Sequence, residues 1–300
     1  MEIAITGASG LIGRALTTSL RTAGHRVRAV TRGAATTADG IEWDPERGTI
    51  DAAAFESVDA VVHLAGEGIA EHKWNDEQKR RILESRVRGT ELLASTLAAC
   101  ARPPAILVSG SALGYYGNRG DEQLRESSAP GTDFLATVCT AWEASTAPAS
   151  EVGIRVAHIR TGIVLAAKGG ALGKMVLPFK LGLGGRIGNG TQWMSWISLR
   201  DEVRAIEHVL DRDVHGPVNL VAPAPVRNRE FVATLGRVLR RPTVLPTPLL
   251  PLEVRYGKEL VDALLRYSIR ARCDVLEQSG FEFEHPDLER ALRSEFNRPG

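Results

Sequence analysis

The chain opens Glu2-Ile3-Ala4-Ile5-Thr6-Gly7-Ala8-Ser9-Gly10-Leu11-Ile12-Gly13, and the spacing of its glycines is what a bound phosphate requires. An apolar run, 3–5, precedes the glycines, and an amphipathic stretch begins at Leu11. In a strand, turn and helix of that order, backbone N–H groups and the positive end of the helix dipole converge on an anion. Gly7 allows the tight turn, Gly10 lets the backbone approach the phosphates, and Gly13 lets helix and strand pack closely. Ser9, Leu11 and Ile12 complete the cradle. The spacing is G-x-x-G-x-x-G rather than the G-x-G-x-x-G of ordinary dehydrogenases. The competing reading is a tight turn that binds nothing.

A second position bears on which dinucleotide such a cradle takes. The end of the second strand faces the adenine ribose; an acid there binds the 2′-hydroxyl, and an arginine accommodates a 2′-phosphate. Here residues 27–30 run into Thr31-Arg32-Gly33 with no acid in place. Arg32 offers a planar, permanently charged fork, and Thr31 adds a hydroxyl. The pair favours NADP(H) over NAD(H), against the alternative of a solvated surface arginine.

The elements that must hold these residues are legible in the hydrophobic pattern. Strands are expected at 3–5, 27–30, 60–63, 105–109, 156–160 and 218–221, with helices at 11–23, 76–99, 134–145 and 201–210. Alternation of short apolar runs with helical stretches implies a doubly wound α/β fold, a parallel sheet covered on both faces (Rossmann). Residues 168–191, which include Gly-Leu-Gly-Gly-Arg-Ile-Gly-Asn-Gly at 182–190, read as an irregular loop on the substrate side. From Ala222 the character changes. A helix over 228–241 is expected with Asn228 as N-cap, then an extended proline-rich segment, 242–251, and helices at 252–267 and 287–296. The expected division is a nucleotide-binding domain over 1–221, with an excursion at 166–198, and a small, mostly helical lobe over 222–300.

The 300 residues carry a net charge of +1, with no footprint for nucleic acid or an acidic membrane surface. Three scattered cysteines suit a reducing compartment. The chain begins directly in a strand and holds no apolar run of membrane-spanning length, so a cytoplasmic protein with a small-molecule partner is expected. Histidines and cysteines show no metal-ligand spacing.

With these residues in hand, the chain resembles the extended short-chain dehydrogenase/reductases, the superfamily of nucleotide-sugar epimerases. Thr6 to Gly13 resembles their phosphate loop. Asp59-Ala60-Val61-Val62-His63-Leu64-Ala65-Gly66 resembles the motif along the adenosine and pyrophosphate, and Arg160-Thr161-Gly162-Ile163-Val164-Leu165 the segment passing the nicotinamide. More narrowly, the chain is similar to an atypical epimerase-like subgroup with its own C-terminal domain. Its marks include Ser85-Arg86, Tyr115-Tyr116-Gly117, Trp142-Glu143 and Gly280-Phe281-Glu282-Phe283. The resemblance implies that Thr31, Arg32, Leu64, Ala65, Gly66, Arg86 and Val164 contact NADP(H).

The same resemblance exposes a gap. Most short-chain reductases use Ser-Tyr-Lys, with the tyrosine as proton donor. Ser111 stands where the resemblance puts the serine, but the Tyr-x-x-x-Lys pair is absent, and Leu135 and Cys139 fall at its positions. Tyr115 and Tyr116 are candidate substitutes, each with a structural alternative in the core or in a loop. Glu67 is open to either cofactor or substrate, and Asp133 suits an N-cap. The sequence thus supports an NADP(H)-dependent oxidoreductase or epimerase-like enzyme acting on a small polar compound. The alternative is an NADP(H)-binding sensor that has lost redox chemistry.

Overall fold

Apolar runs without alternation, such as Ile3-Ala4-Ile5 and Ala60-Val61-Val62, fit only a sheet covered on both faces. In the computed structural model, which describes residues 1–33 and 40–298, both runs are fully buried. Eight strands form one sheet in the order Gly216–Leu220, Arg155–Thr161, Ile106–Ala112, Ala60–His63, Glu2–Thr6, Arg26–Arg32, Ile41–Asp44, Thr49–Ile50. All neighbours are parallel except the last pair. The chain builds outward from Glu2–Thr6 to one edge, then returns to build from Ala60–His63 to the other. Open α/β sheets bind ligands at such a reversal, outside the carboxyl ends of the strands.

Strand periodicity divides the core. Ile3, Ile5, Ala60 and Val62 face the helices Leu11–Thr22 and Leu199–Asp211, where Leu16, Leu20, Ile206 and Val209 meet them. Ala4 and Val61 face the opposite way, onto Leu93 and Leu97 of the helix Asp76–Ala99. Each fully buried aliphatic side chain contributes about 1.5–3 kcal/mol. A third cluster joins Leu172, Phe179 and Trp196 to Phe231, Leu235 and Leu292, and so docks the helical C-terminal region on the sheet. Side-chain caps fix where the helices start: Asn75, Asp133 and Ser198 accept the N–H groups of Gln78, Ala136 and Asp201 at 2.8, 3.0 and 3.0 Å.

Four expectations are corrected. The segment read as irregular contains the helix Gly170–Lys180. Leu172, Met175 and Phe179 stand at helical spacing, and burial of Leu172 and Phe179 outweighs the flanking glycines. Asn228 is the first residue of its helix, not the cap. Its Oδ1 instead accepts the N–H of Ile187 at 2.9 Å, tying down the glycine-rich loop. The stretch 252–267 is not one helix: Leu250–Tyr256 ends at Gly257, whose φ is +86°, and short helical turns follow. The strands Ile41–Asp44 and Thr49–Ile50 extend the sheet beyond the expected set.

One core position is costly. Glu202 is fully buried, and burial pushes its carboxyl from 4.5 up to about 8. Thr161 donates to Oε1 at 2.8 Å, and Oε2 has no partner among the described residues. Between those two values the folded chain holds a proton that the unfolded chain releases, so stability falls as pH rises through that window. Glu202→Gln is expected to leave Tm unchanged near pH 5 and raise it by about 2–4 °C above pH 8. Thermal unfolding across pH checks this, and parallel curves for both proteins would refute it.

Candidate functional site

Two loops meet at the reversal, and they meet closely. Gly7 has φ +67°, and a Cβ there would stand 2.9 Å from the carbonyl carbon of Leu64. A Cβ on Gly13 would stand 2.2 Å from the carbonyl oxygen of Gly7. Only glycine fits either place. The Thr6 hydroxyl accepts the N–H groups of Leu64 and Ala65, both at 3.1 Å, so its own proton goes to His63 Nδ1 at 2.7 Å. His63 therefore carries its proton on Nε2 and donates to Thr90 Oγ1 at 2.9 Å. Burial, with the Arg86 charge nearby, brings His63 down to about 4, so the ring is neutral and acts as a spacer.

Gly10 spends its N–H inside the turn, on the carbonyl of Gly7 at 2.9 Å. Leu11, Ile12 and Gly13 then open the helix with no side-chain cap, their N–H groups available to an anion. Ser9 and Gly10 are exposed. Gly66 lies against Arg86: a Cβ there would stand 3.1 Å from the guanidinium carbon. Arg86 donates to the carbonyls of Glu67 and Ile82 at 3.0 and 3.1 Å and stacks 5.0 Å from the Trp142 ring centre. The Glu67 carboxylate is turned toward Gln78 and Arg81. Val164 lies in the strand Ile163–Leu165, beyond which a Cβ on Gly169 would stand 3.0 Å from Leu11 Cδ1.

At the end of the second strand Arg32 is exposed and has no carboxylate partner among the described residues. The hydroxyl of the preceding residue, Thr31, is buried without a hydrogen-bond partner among the described residues. Buried polar groups are rarely left so, and an exposed guanidinium with no carboxylate partner among the described residues suits an anionic group from outside the chain.

The residues nearest the expected chemistry form one connected network. Ser111 is buried, and its Oγ donates to Glu143 Oε1 at 2.7 Å. Glu143 grips Arg160 in a two-pronged pair, Nε to Oε1 and Nη2 to Oε2, both 2.8 Å. Arg160 Nη1 donates to the Tyr116 hydroxyl and the Glu126 carbonyl, both at 3.0 Å. Its guanidinium carbon lies 3.4 Å from the centre of the Tyr115 ring. Burial disfavours the Arg160 charge, but Glu143 and Tyr116 more than compensate and hold it above the ordinary arginine range.

This geometry separates the candidates. Tyr116 is fully buried, donates to Asn219 Oδ1 at 2.7 Å, and is pushed by burial up to about 12. It is a core residue rather than a proton donor. Ser111 has its proton engaged by Glu143 and is left as an acceptor for a substrate hydroxyl. The Tyr115 hydroxyl has no partner among the described residues. Cys139 and Leu135 pack beside Gly114, and burial raises the Cys139 thiol to about 11. Glu143 and Arg160 carried no assigned role in the sequence, because the two lie on different elements and no spacing links them. The available signal was a cation closing the run Val156-Ala157-His158-Ile159.

Residues 3–221 match a family model described as the NAD dependent epimerase/dehydratase family, and residues 247–295 match a domain of unknown function, DUF1731. An epimerase family protein of Mycobacterium tuberculosis, MT2273, is 44% identical over 299 residues, covering 99% of this chain and 98% of that protein. The crystal structure of human epimerase family protein SDR39U1 with NADPH superimposes with a TM-score of 0.90 at 32% identity, over 99% of each chain. A nucleoside-diphosphate sugar epimerase of Corynebacterium glutamicum gives 0.80 at 37% identity, over 98% of this chain and 58% of that one.

Removing one partner of a buried ion pair strands the other. Glu143→Leu or Arg160→Met alone is expected to cost about 3–5 kcal/mol. The double variant should cost less than either single one. Denaturant unfolding of the three variants checks this, and additive losses would mean the pair is not coupled.

Proposed function

The chain belongs to the NAD dependent epimerase/dehydratase family, and on that premise we propose an NADP(H)-dependent oxidoreductase or epimerase-like enzyme. Its substrate would be a small polar carbonyl or hydroxyl compound. The observation that carries the reading is the exposed Arg32 guanidinium, which has no carboxylate partner among the described residues, at a strand end, 31–33, without an acid. The NADPH in the human relative's crystal structure supports it. Bound NADP(H) would supply or take up a hydride. The uncapped N–H groups of Leu11 to Gly13 would hold the pyrophosphate, and Leu64, Ala65, Gly66, Arg86 and Val164 would wall the cleft. Ser111 would accept a hydrogen bond from a substrate hydroxyl and orient it. Tyr115, whose hydroxyl has no partner among the described residues, would serve as the acid that replaces the missing tyrosine. With three free cysteines the protein suits the reducing cytoplasm.

Fluorescence titration with NADPH and NADH in parallel is the direct test, with NADPH expected to bind more tightly. Arg32→Ala should weaken NADPH by about tenfold or more while barely changing NADH, and equal weakening would reject the phosphate role. In a carbonyl-compound screen read by NADPH consumption, Tyr115→Phe should lower turnover by about a hundredfold at unchanged NADPH affinity. Full activity in that variant would remove Tyr115 from the mechanism.

A further inference from the structure

Near-zero net charge conceals a segregated surface. Residues 168–186 carry four cations and no acid, and residues 240–258 carry four cations and one acid, Glu253. These 38 positions hold a net +7 in a chain whose total is +1. The same two segments hold seven of the nine large apolar side chains exposed among the described residues. Leu177, Leu181 and Leu183 are 62–65% exposed, and Val244, Leu250 and Val254 are 70–84% exposed. Soluble proteins rarely gather exposed apolar side chains in this way.

The segments lie against one another. Arg241 Nε donates to the Lys180 carbonyl at 2.8 Å, and Thr247 N–H to the Arg186 carbonyl at 2.9 Å. At Gly185 the backbones touch: a Cβ there would stand 1.6 Å from the Leu245 carbonyl oxygen. Leu177 and Leu181, four residues apart, share one face, as do Leu250 and Val254. Of the eight cations only Lys258 has a carboxylate partner among the described residues, Asp262 at 2.7 Å.

We propose that this face docks the protein reversibly on a bilayer surface carrying anionic phospholipid. Charge complementarity decides the occupant. Protein interfaces are depleted in lysine and in charge at their centres. Interfacial membrane binding instead combines protruding aliphatic side chains with a lysine and arginine surround. The inference departs from the expectation drawn from net charge, which averages over the whole surface. It does not depend on the proposed enzymatic function. Among the described residues no helix is long and apolar enough to cross a membrane, so the contact is peripheral.

The test is flotation of the purified full chain with vesicles of phosphatidylcholine alone, or with about one-third phosphatidylglycerol. The chain is expected to float with the anionic vesicles only and to be released as salt is raised. Leu250→Ser with Val254→Ser should weaken binding by about tenfold or more. Lys180→Glu with Arg240→Glu should weaken it by at least about fivefold per position. All four side chains are exposed, and circular dichroism reports whether each variant is folded. Absence of flotation at low salt would overturn the proposal, as would folded variants that float like the unaltered chain. A concentration-dependent dimer that the same variants dissolve, without vesicle binding, would assign the face to a second copy instead.

Discussion

A guanidinium buried at the carboxyl end of the strand next to the sheet edge is the constraint around which the site is organised. The cost of burying an ion is several kcal/mol even after relaxation. Arg160 offsets it with a two-pronged carboxylate, a phenol, a backbone carbonyl and the face of an aromatic ring. Those partners come from the helix Phe134–Ala144, the turn Leu113–Tyr116 and the segment at Glu126. Through Tyr116 and Asn219 the network also reaches the edge strand Gly216–Leu220. One buried charge therefore sets the relative positions of several elements. It also decides where Ser111 can point, because Glu143 is the shared acceptor.

The other wall of the cleft is set by close approach rather than by charge. Thr6, His63 and Thr90 form a hydrogen-bonded line that holds the Leu64-Ala65 backbone against Gly7. Threonine serves because its hydroxyl can accept two N–H groups and still donate one proton. Gly7 and Gly13 serve because there is no room for a Cβ. Polar groups thus occupy the strand ends while the strand interiors stay apolar, and the sheet can be dry within and receptive at its rim.

Much of this was legible in the sequence where a physical rule links neighbours along the chain. The strand, glycine turn and helix at the start of the chain, the doubly wound order and the helix Asp76–Ala99 follow from spacing and periodicity. The cap at Asp133 follows from the preference of a helix start for a short acceptor. What stayed hidden was tertiary. Asn228 has the chemistry of a cap but is used to hold a distant loop. The helix Gly170–Lys180 is stabilised by burying Leu172 and Phe179 in a core assembled from remote segments. Glu143 and Arg160 lie 17 residues apart with no periodic relation, so their pairing exists only once helix and strand are packed. The cationic face escaped notice because a sum of charges has no spatial content.

The backbone contact at Gly185 gives the two basic, apolar segments a mechanical unity. With Gly185 against the Leu245 carbonyl and Thr247 bonded to both Gly185 and Arg186, neither segment can swing away from the sheet alone. At its other end the first segment abuts Leu11 through Gly169 and Gly170, at the start of the helix Leu11–Thr22. The two basic, apolar segments are thus anchored, at one end, against the first turn of the fold.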